Sequence, residues 1–334
     1  MQTNRCAPAY LQLVLRKHLR LLIVLVLPVA CLGQTPEPLE TIKVDSELVD
    51  LKVSVVNLTP QNPVSDLQQR DFLVLEDGKP QEISFFAAAD TPFDLVLLLD
   101  LSGSTNDKLK LIRKSAKRFI EATRPMDRVS VVSFTDMAQV VCPLTQDRQL
   151  LNQSIDDMEP PLGGTRFWDS LRYILAILNA SGNSMRRGAV VVMTDGVDNA
   201  LPEVFGPGSV TSFEELLYIV RASETIVFPI YLDTEKEGVK RHSIPRMAYA
   251  IARDQLAQLA EASGSRLYRA NELKDLDDVY MQVIGELGRI YSIGYQPSNT
   301  LRDGKWRSVT VKIQDQPEVI ARTKQGYYPR SLPN

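Results

Sequence analysis

Histidine and cysteine are scarce in this sequence. Only 2 of its 334 residues are His and 3 are Cys, and several of these fall in an N-terminal segment that we expect to be removed. Of those outside it, we expect His242, in the charged stretch EKEGVKRHSIPR, to lie on the surface, and Cys142, in the apolar stretch AQVVCPLT, to be a small buried hydrophobe. So few sulfur and imidazole ligands disfavour a zinc or copper site. If Cys31 is lost with the N-terminal segment, a disulfide within the mature chain is excluded as well.

Long apolar runs are also lacking, except near the N-terminus. The run LLIVLVLPVA, residues 21–30, follows four basic residues with no acid among them, a pattern typical of a secretory signal peptide. It is too short to span a bilayer as a helix, which requires about 20 apolar residues. We therefore assign residues 1–34 to a signal peptide and linker, and expect a secreted, periplasmic or cell-envelope protein with no transmembrane span in the mature chain.

Two processing routes remain open for this segment. The sequence VAC, which ends in Cys31, resembles a lipobox, and its cysteine would then carry a lipid anchor. The small residues before Gln34 suit ordinary signal cleavage instead, and Pro28 stands where a lipobox usually has leucine, which favours this second route. Both routes place the protein outside the cytoplasm.

The charge balance gives no sign of a nucleic-acid partner. The net charge is −3 at pH 7, and loss of the basic N-terminal segment makes the mature chain more acidic. A chain without excess positive charge has little attraction for a phosphate backbone. Because 44% of residues are hydrophobic and 24% are charged, we expect a folded globular protein.

The hydrophobic pattern divides the mature chain into three parts. Residues 35–90 alternate like strands, as in VDLKVSVVNL and in RDFLVLEDGKPQEISFFA, where Asp77-Gly78 predicts a tight turn between two strands. Residues 91–290 alternate continuous apolar runs, such as DLVLLLD and GAVVVMTD, with helical patterns, but the charged stretch around 235–246 is interpreted as a loop. Residues 291–334 return to strands, as in KWRSVTVKI.

These periods predict an α/β fold. Continuous Val, Leu and Ile runs between helices indicate a doubly wound, mostly parallel sheet that is covered on both faces. The N-terminal module and the C-terminal strands are each too short for a stable core. We therefore expect them to pair as a small β-sandwich into which the α/β domain is inserted, with two separate small modules as the alternative.

Polar side chains follow the predicted parallel strands. Asp100, Ser102 and Ser104 come directly after the first strand, Thr165 follows Gly-Gly in a later loop, and Asp195 ends another strand. Ligands of open parallel sheets collect at the carboxyl ends of the strands, so we expect these five residues to form one site. Two carboxylates and three hydroxyls, without imidazole or thiolate, suit a hard cation such as Mg²⁺. An open coordination position can then accept an oxyanion from a partner.

The motifs DLSGST, GGTR and TDG, in this order and context, carry a family resemblance. Residues 94–290 resemble a von Willebrand factor type A domain, and the three motifs match the metal-ion-dependent adhesion site of that family. The chain as a whole resembles secreted bacterial VWFA-related proteins, often from Acidobacteria, in which DFLVLEDGKPQEISFF precedes the domain and YSIGYQP and GYYP follow it.

The resemblance implies a ligand set and a class of partner. Ser102 and Ser104 would coordinate the metal directly, Thr165 directly or through water, and Asp100 and Asp195 largely through water and hydrogen bonds. The implied cation is Mg²⁺, or Mn²⁺ or Ca²⁺. The implied partner is a protein that donates a carboxylate to the metal.

Each of these residues also has a plainer interpretation. The serines could cap the following helix, Gly163-Gly164 could be only a turn, and Asp195-Gly196 could be a plain strand-to-helix connection. Asp198 and Asn199 could lie in a solvated loop, although Asp198 could instead support the site. Phe167 and Trp168 could contact a partner, but packing in the core is the preferred interpretation.

An enzyme is disfavoured. Phosphatases that form an aspartyl-phosphate at the end of a first parallel strand carry the pattern Asp-x-Asp in that loop, and the second acid transfers a proton. Here Ser102 takes the place of the second acid, and a hydroxyl does not perform this proton transfer at neutral pH. The sequence also lacks a Gly-x-Ser-x-Gly nucleophile motif. We expect an adhesion or scaffold module that binds protein through a metal, with two alternatives: a structural domain with a vestigial site or, less favoured, a metal-assisted hydrolase.

Overall fold

The structure, a computed structural model, describes residues 48–57, 67–103, 109–159, 163–180, 186–241 and 244–329. The described ranges all fall within Ser46–Asn334, which forms one compact unit. The expected signal segment, Cys31, Ser104 and His242 lie outside the described residues. Among the helices within them, none combines the length and apolarity needed to cross a membrane.

The described part of the chain contains fourteen strands and seven α-helices. The strands are β1 (Val49–Asn57), β2 (Phe72–Glu76), β3 (Lys79–Gln81), β4 (Ile83–Ala87), β5 (Phe93–Asp100), β6 (Arg128–Phe134), β7 (Ala138–Thr145), β8 (Arg187–Thr194), β9 (Ile226–Leu232), β10 (Tyr268–Ala270), β11 (Ile290–Tyr295), β12 (Arg307–Ile313), β13 (Val319–Arg322) and β14 (Gly326–Tyr327). The helices are α1 (Leu109–Ala122), α2 (Arg148–Asp156), α3 (Phe167–Ala180), α4 (Phe213–Ala222), α5 (Glu235–Arg241), α6 (Arg246–Ser263) and α7 (Leu276–Leu287).

A six-stranded sheet forms the centre of the α/β part. Its order is β10-β9-β8-β5-β6-β7, and all neighbours are parallel except β6 and β7. Every residue of β5 and β9 is buried because helices cover both faces. Successive residues of β5 point to opposite faces of the sheet, so Leu97 and Leu98 enter two different cores. Helices α1, α2 and α7 complete the core that contains Leu97, and α3, α4 and α6 complete the core that contains Leu98.

The two ends of the described chain form a β-sandwich. One sheet has the order β13-β1-β11-β4 and the other β14-β12-β2-β3. Strand β1 pairs antiparallel with β11 and β13, and β2 with β12, while apolar residues from both sheets form one shared core. The predicted fold class is therefore confirmed, and the alternative of separate modules is wrong. The domain limits 35–90, 91–290 and 291–334 remain a proposal.

Two local predictions have different outcomes. Asp77 and Gly78, with φ of 47° and 77°, form the predicted tight turn between β2 and β3. The first part of the charged stretch interpreted as a loop, Glu235–Arg241, instead forms the helix α5. Its Glu235 accepts a hydrogen bond from Arg253 of α6 at 2.9 Å, and its Val239 packs against the core that α6 shares.

Candidate metal centre

The candidate site lies where two neighbouring parallel strands end. Register pairs Leu99 of β5 with Met193 of β8, so Asp100, one residue later, and Asp195, two residues later, lie at the same edge of the sheet. Asp100 is 0% exposed and Asp195 is 2% exposed. The fold thus brings together two acids that are far apart in sequence and removes both from bulk water.

Each of these carboxylates is held in the same way. One oxygen of Asp100 accepts the hydroxyl of Thr194 at 2.6 Å, and the other accepts the backbone N–H of Ser102 at 2.9 Å. One oxygen of Asp195 accepts the hydroxyl of Thr234 at 2.6 Å, and the other accepts the N–H of Val197 at 3.1 Å. Every carboxylate oxygen of the pair therefore has a donor that fixes its orientation.

The two acids repel each other electrostatically. Burial and the nearby charge of Asp195 raise the pKa of Asp100 well above its usual range, even though the hydrogen bonds from Thr194 and Ser102 act in the opposite direction. Desolvation and a like charge both disfavour the carboxylate form, and a bound cation reverses both effects. The electrostatics of the pair therefore suit a cation.

Three of the predicted residues share one cleft of about 260 Å³. Ser102, Thr165 and Asp195 line it, and Ser102 and Thr165 are themselves buried, with 4% and 7% exposure. Asp100 does not line the cleft and is linked to it through the N–H of Ser102. Ser104 lies outside the described residues.

The glycine pair before Thr165 allows the side chains of Asp136 and Asn199 to lie close to this loop. The N–H of Gly164 donates to Asp136 Oδ1 at 2.6 Å. A Cβ on Gly163 would come 2.5 Å from Asp136 Oδ2, and one on Gly164 would come 2.5 Å from Asn199 Nδ2. A side chain at either position would force Asp136 or Asn199 to shift, so the pair does more than form a turn.

The loop after Asp195 corrects the interpretation of Asp198 and Asn199 as solvated residues. Asp198 is 0% exposed, and its carboxylate accepts hydrogen bonds from Trp168 N, Ala200 N and both the N–H and hydroxyl of Ser209. A buried Asp with four donors fixes this loop against the start of α3.

Asn199 is a site residue that the sequence reasoning missed. Its N–H donates to Thr165 O at 2.9 Å, and its Oδ1 accepts the N–H of Thr165 at 3.3 Å. Asp136 and Thr234 were missed as well. The only sequence signal for this role of Asn199 is its place four residues after Asp195, which is too weak to identify it.

Three further expectations concern burial. Phe167 and Trp168 are 1% and 6% exposed and belong to the core beneath α3, so the preferred interpretation is confirmed. Cys142 is 1% exposed and packs in the other core, as expected for a small hydrophobe.

The donors of the site fit a hard divalent cation. In the described ranges no group of three or more His, Cys, Asp or Glu side chains converges as a metal-ligand cluster. A metal here would therefore rely on two carboxylates, hydroxyls and water. Such an oxygen set matches the preference of Mg²⁺, which usually keeps several waters.

Curated proteins match part of this sequence. The collagen alpha-1(VI) chain of Gallus gallus is 30% identical over 115 residues, which are 31% of this chain and 11% of that relative. A UPF0353 protein of Mycolicibacterium paratuberculosis is 22% identical over 206 residues, which are 58% of this chain and 61% of that protein. The matches span less than two thirds of each of these relatives.

Solved structures match parts of this chain at low identity. BatB from Bacteroides thetaiotaomicron is 16% identical with a TM-score of 0.44, covering 58% of this chain and 98% of that one. Proximal thread matrix protein 1 from the mussel byssus, solved with a zinc-occupied MIDAS motif, is 18% identical with a TM-score of 0.44, covering 64% of this chain and 49% of that one.

A family model decides the relationship. The von Willebrand factor type A domain model matches residues 94–282, which is more than half of the chain and includes β5 to β10. This chain belongs to the von Willebrand factor type A domain family.

Proposed function

We propose that the chain is an extracytoplasmic adhesion or scaffold module that binds a partner protein through a divalent cation. The cation is held by Asp100, Ser102, Ser104, Thr165 and Asp195, and a carboxylate of the partner completes its coordination. The observation that carries the proposal is the meeting of Ser102, Thr165 and Asp195 in one cleft beside a buried Asp100.

The residues divide the task by their chemistry. The cation supplies positive charge and an open coordination position. The hydroxyls of Ser102, Ser104 and Thr165 provide neutral oxygens, so the chain contributes no more than two formal negative charges to a dication. A partner carboxylate is then attracted to a site that keeps positive charge. Mg²⁺ is the proposed cation, with Mn²⁺ and Ca²⁺ as alternatives.

Binding rather than catalysis suits the donor set. Ser102 stands where an aspartyl-phosphate enzyme places its acid-base carboxylate, so proton transfer to a leaving group has no donor at that position. We also propose that residues 1–34 direct export and that Cys31, if retained, carries a lipid anchor. The family's association with protein partners and the acidic net charge agree with a protein ligand and not a nucleic acid.

Titration calorimetry with MgCl₂ tests the proposal. We expect a binding heat from the wild type that Asp100→Ala and Ser102→Ala abolish. Ser115→Ala is the matched control, because Ser115 is similarly buried, at 5% exposure, but lies in α1. Circular dichroism melts of all variants separate loss of binding from loss of folding. If the wild type gives no heat with Mg²⁺, Mn²⁺ or Ca²⁺, the proposal fails and the domain is structural.

A further inference from the structure

The candidate metal cleft has an apolar part as well as a polar one. Beside its oxygen donors it is lined by Val197, Val204, Phe205 and Ile244. Val197 is 3% exposed, and Val204 and Ile244 pack against the core beneath the sheet. Phe205, in contrast, is 85% exposed. A large aromatic side chain is therefore presented to solvent at the edge of the site, where burial by a partner would be favourable.

Phe205 belongs to a loop whose backbone is fixed. The side-chain amide of Asn199 donates to the carbonyl of Phe205 at 3.0 Å. Gly206, with φ of 109°, follows it, and a Cβ there would come 2.5 Å from Asn199 Nδ2. On either side of Phe205 the loop is bound to buried Asp198, through Ala200 N at 2.9 Å and Ser209 N at 2.9 Å. The exposed ring is thus carried by an ordered segment.

The same asparagine fixes a candidate metal ligand. Asn199 exchanges two hydrogen bonds with the backbone of Thr165, at 2.9 and 3.3 Å. Its amide therefore sets the position of the Phe205 backbone relative to Thr165. Two contact points held at a constant separation lower the ordering cost when both are engaged at once.

We propose that Phe205 is a second contact for the protein partner. This contact selects a partner segment in which a large apolar side chain lies near the carboxylate that binds the metal. The inference rests on the proposed function, because the carboxylate is held by the cation. The apolar side chain packs on Phe205 and the apolar floor of the cleft. Exposed Glu203, which also lines the cleft, repels additional acids, so the segment has one acid beside an apolar residue and is not a polyacidic run.

A set of synthetic peptides tests this selection on the whole mature chain. Each peptide has one central Asp, and each neighbouring position in turn carries Phe, Leu, Ser or Glu. With MgCl₂ present, fluorescence anisotropy is expected to show about ten-fold tighter binding of the best Phe or Leu peptides than of their Ser counterparts, and weaker binding of the Glu peptides. Chelation of Mg²⁺ is expected to abolish all binding.

Variants of the loop separate this inference from the proposed function. Phe205→Ser is expected to remove the preference for apolar peptides while the Mg²⁺ heat stays unchanged, and Phe205→Leu to keep most of the preference. Val210→Ser is the matched control, since Val210 is 86% exposed on the same loop but does not line the cleft. A Mg²⁺ heat without any preference for apolar peptides, or a preference that survives in Phe205→Ser, overturns this inference alone. Absence of Mg²⁺ heat in the wild type overturns both.

Discussion

Strand β5 has a buried aspartate at each end, and the two have opposite electrostatic surroundings. Asp94 accepts hydrogen bonds from Arg128 at 2.5 and 2.8 Å and from Arg186 at 2.6 Å. Burial alone would raise its pKa, but these bonds and the two positive charges hold the pKa of Asp94 below its ordinary value. At Asp100 burial and the neighbouring charge of Asp195 together raise the pKa instead. The negative charge of Asp94 is therefore neutralised by arginines of the protein, whereas the site of Asp100 favours a bound cation.

Asp94→Asn is expected to destabilise the fold by about 3 kcal/mol at pH 7, because two arginines lose their shared partly buried partner. Urea unfolding of wild type and variant measures the difference. A pKa depressed in the folded state contributes stability that is fully present above the unfolded value near 3.8 and is lost as the pH falls through the folded value. The gap between the two proteins is therefore expected to shrink below about pH 4, and a gap that stays constant to pH 2 would contradict this account.

The hydroxyl of Thr234 orients Asp195, and its removal is a test of positioning. Thr234→Val keeps the shape of the side chain but leaves Asp195 Oδ2 without this donor. We expect about ten-fold weaker Mg²⁺ binding by calorimetry, the range seen when residues that orient metal ligands are changed. Thr123→Val is the control, because the Thr123 hydroxyl also makes a buried bond, to Ile120 O at 2.7 Å, at the end of α1. Equal Mg²⁺ affinity in both variants would count against the role of Thr234.

The strands of the central sheet were predictable because burial on both faces leaves a continuous apolar run. The residues that end β5 and β8 followed from the same pattern, since parallel strands share an edge. The supporting contacts did not follow. Asn199 and Thr165 are 34 residues apart, and Asp195 and Thr234 are 39 apart. These contacts join loops without periodicity, so only the packed fold brings them together.

Helix α5 shows the same limit at the level of one element. A seven-residue helix rich in charge has no apolar period to distinguish it from a loop. Its Gly238 is buried and packs so closely that a Cβ there would overlap the hydroxyl of Tyr249 in α6. Docking against α6 therefore depends on a residue that helix propensity disfavours.

Two glycine-to-alanine changes separate packing from propensity. Gly238→Ala is expected to cost about 1 to 3 kcal/mol because Tyr249, at 0% exposure, has no room to move aside. Gly285→Ala, in α7, is the matched variant, since a Cβ there meets no atom within 4 Å. Alanine is expected to stabilise that helix by about 0.5 to 1 kcal/mol. Thermal melts measure both, and stabilisation by Gly238→Ala would contradict the contact.

At the scale of the molecule, buried polar side chains join the sandwich to the α/β part. Arg187, at the start of β8, donates to Ser292 Oγ at 2.9 Å and to the carbonyls of Ile290 and Ala88 at 2.5 Å each. Burial, with the charge of Arg124, lowers the pKa of Arg187 to about 10.

A second join lies on helix α7. Glu286 accepts from Ser54 of β1 at 3.0 Å and from the hydroxyl of Tyr268 in β10. The need for the two chain ends to pair was predictable from their size, but these joins were not, because Arg and Glu usually lie at the surface.

Arg187→Lys tests whether the two parts unfold as one. Lysine keeps the charge, but its single nitrogen cannot reach three acceptors in the guanidinium's fork, so buried carbonyls lose their donors. We expect the free energy of unfolding to fall by about 3 kcal/mol.

The protein's two tryptophans report different regions: Trp168 lies in the core under α3, and Trp306 lies beside Arg221 of α4 just before β12. Trp168→Phe and Trp306→Phe backgrounds therefore allow each region to be followed by fluorescence during urea unfolding. If Arg187 couples the parts, both signals shift to lower urea together, whereas Arg70→Lys, at a side chain 86% exposed, leaves them in place. A shift of one signal alone would show that the sandwich and the sheet are independent.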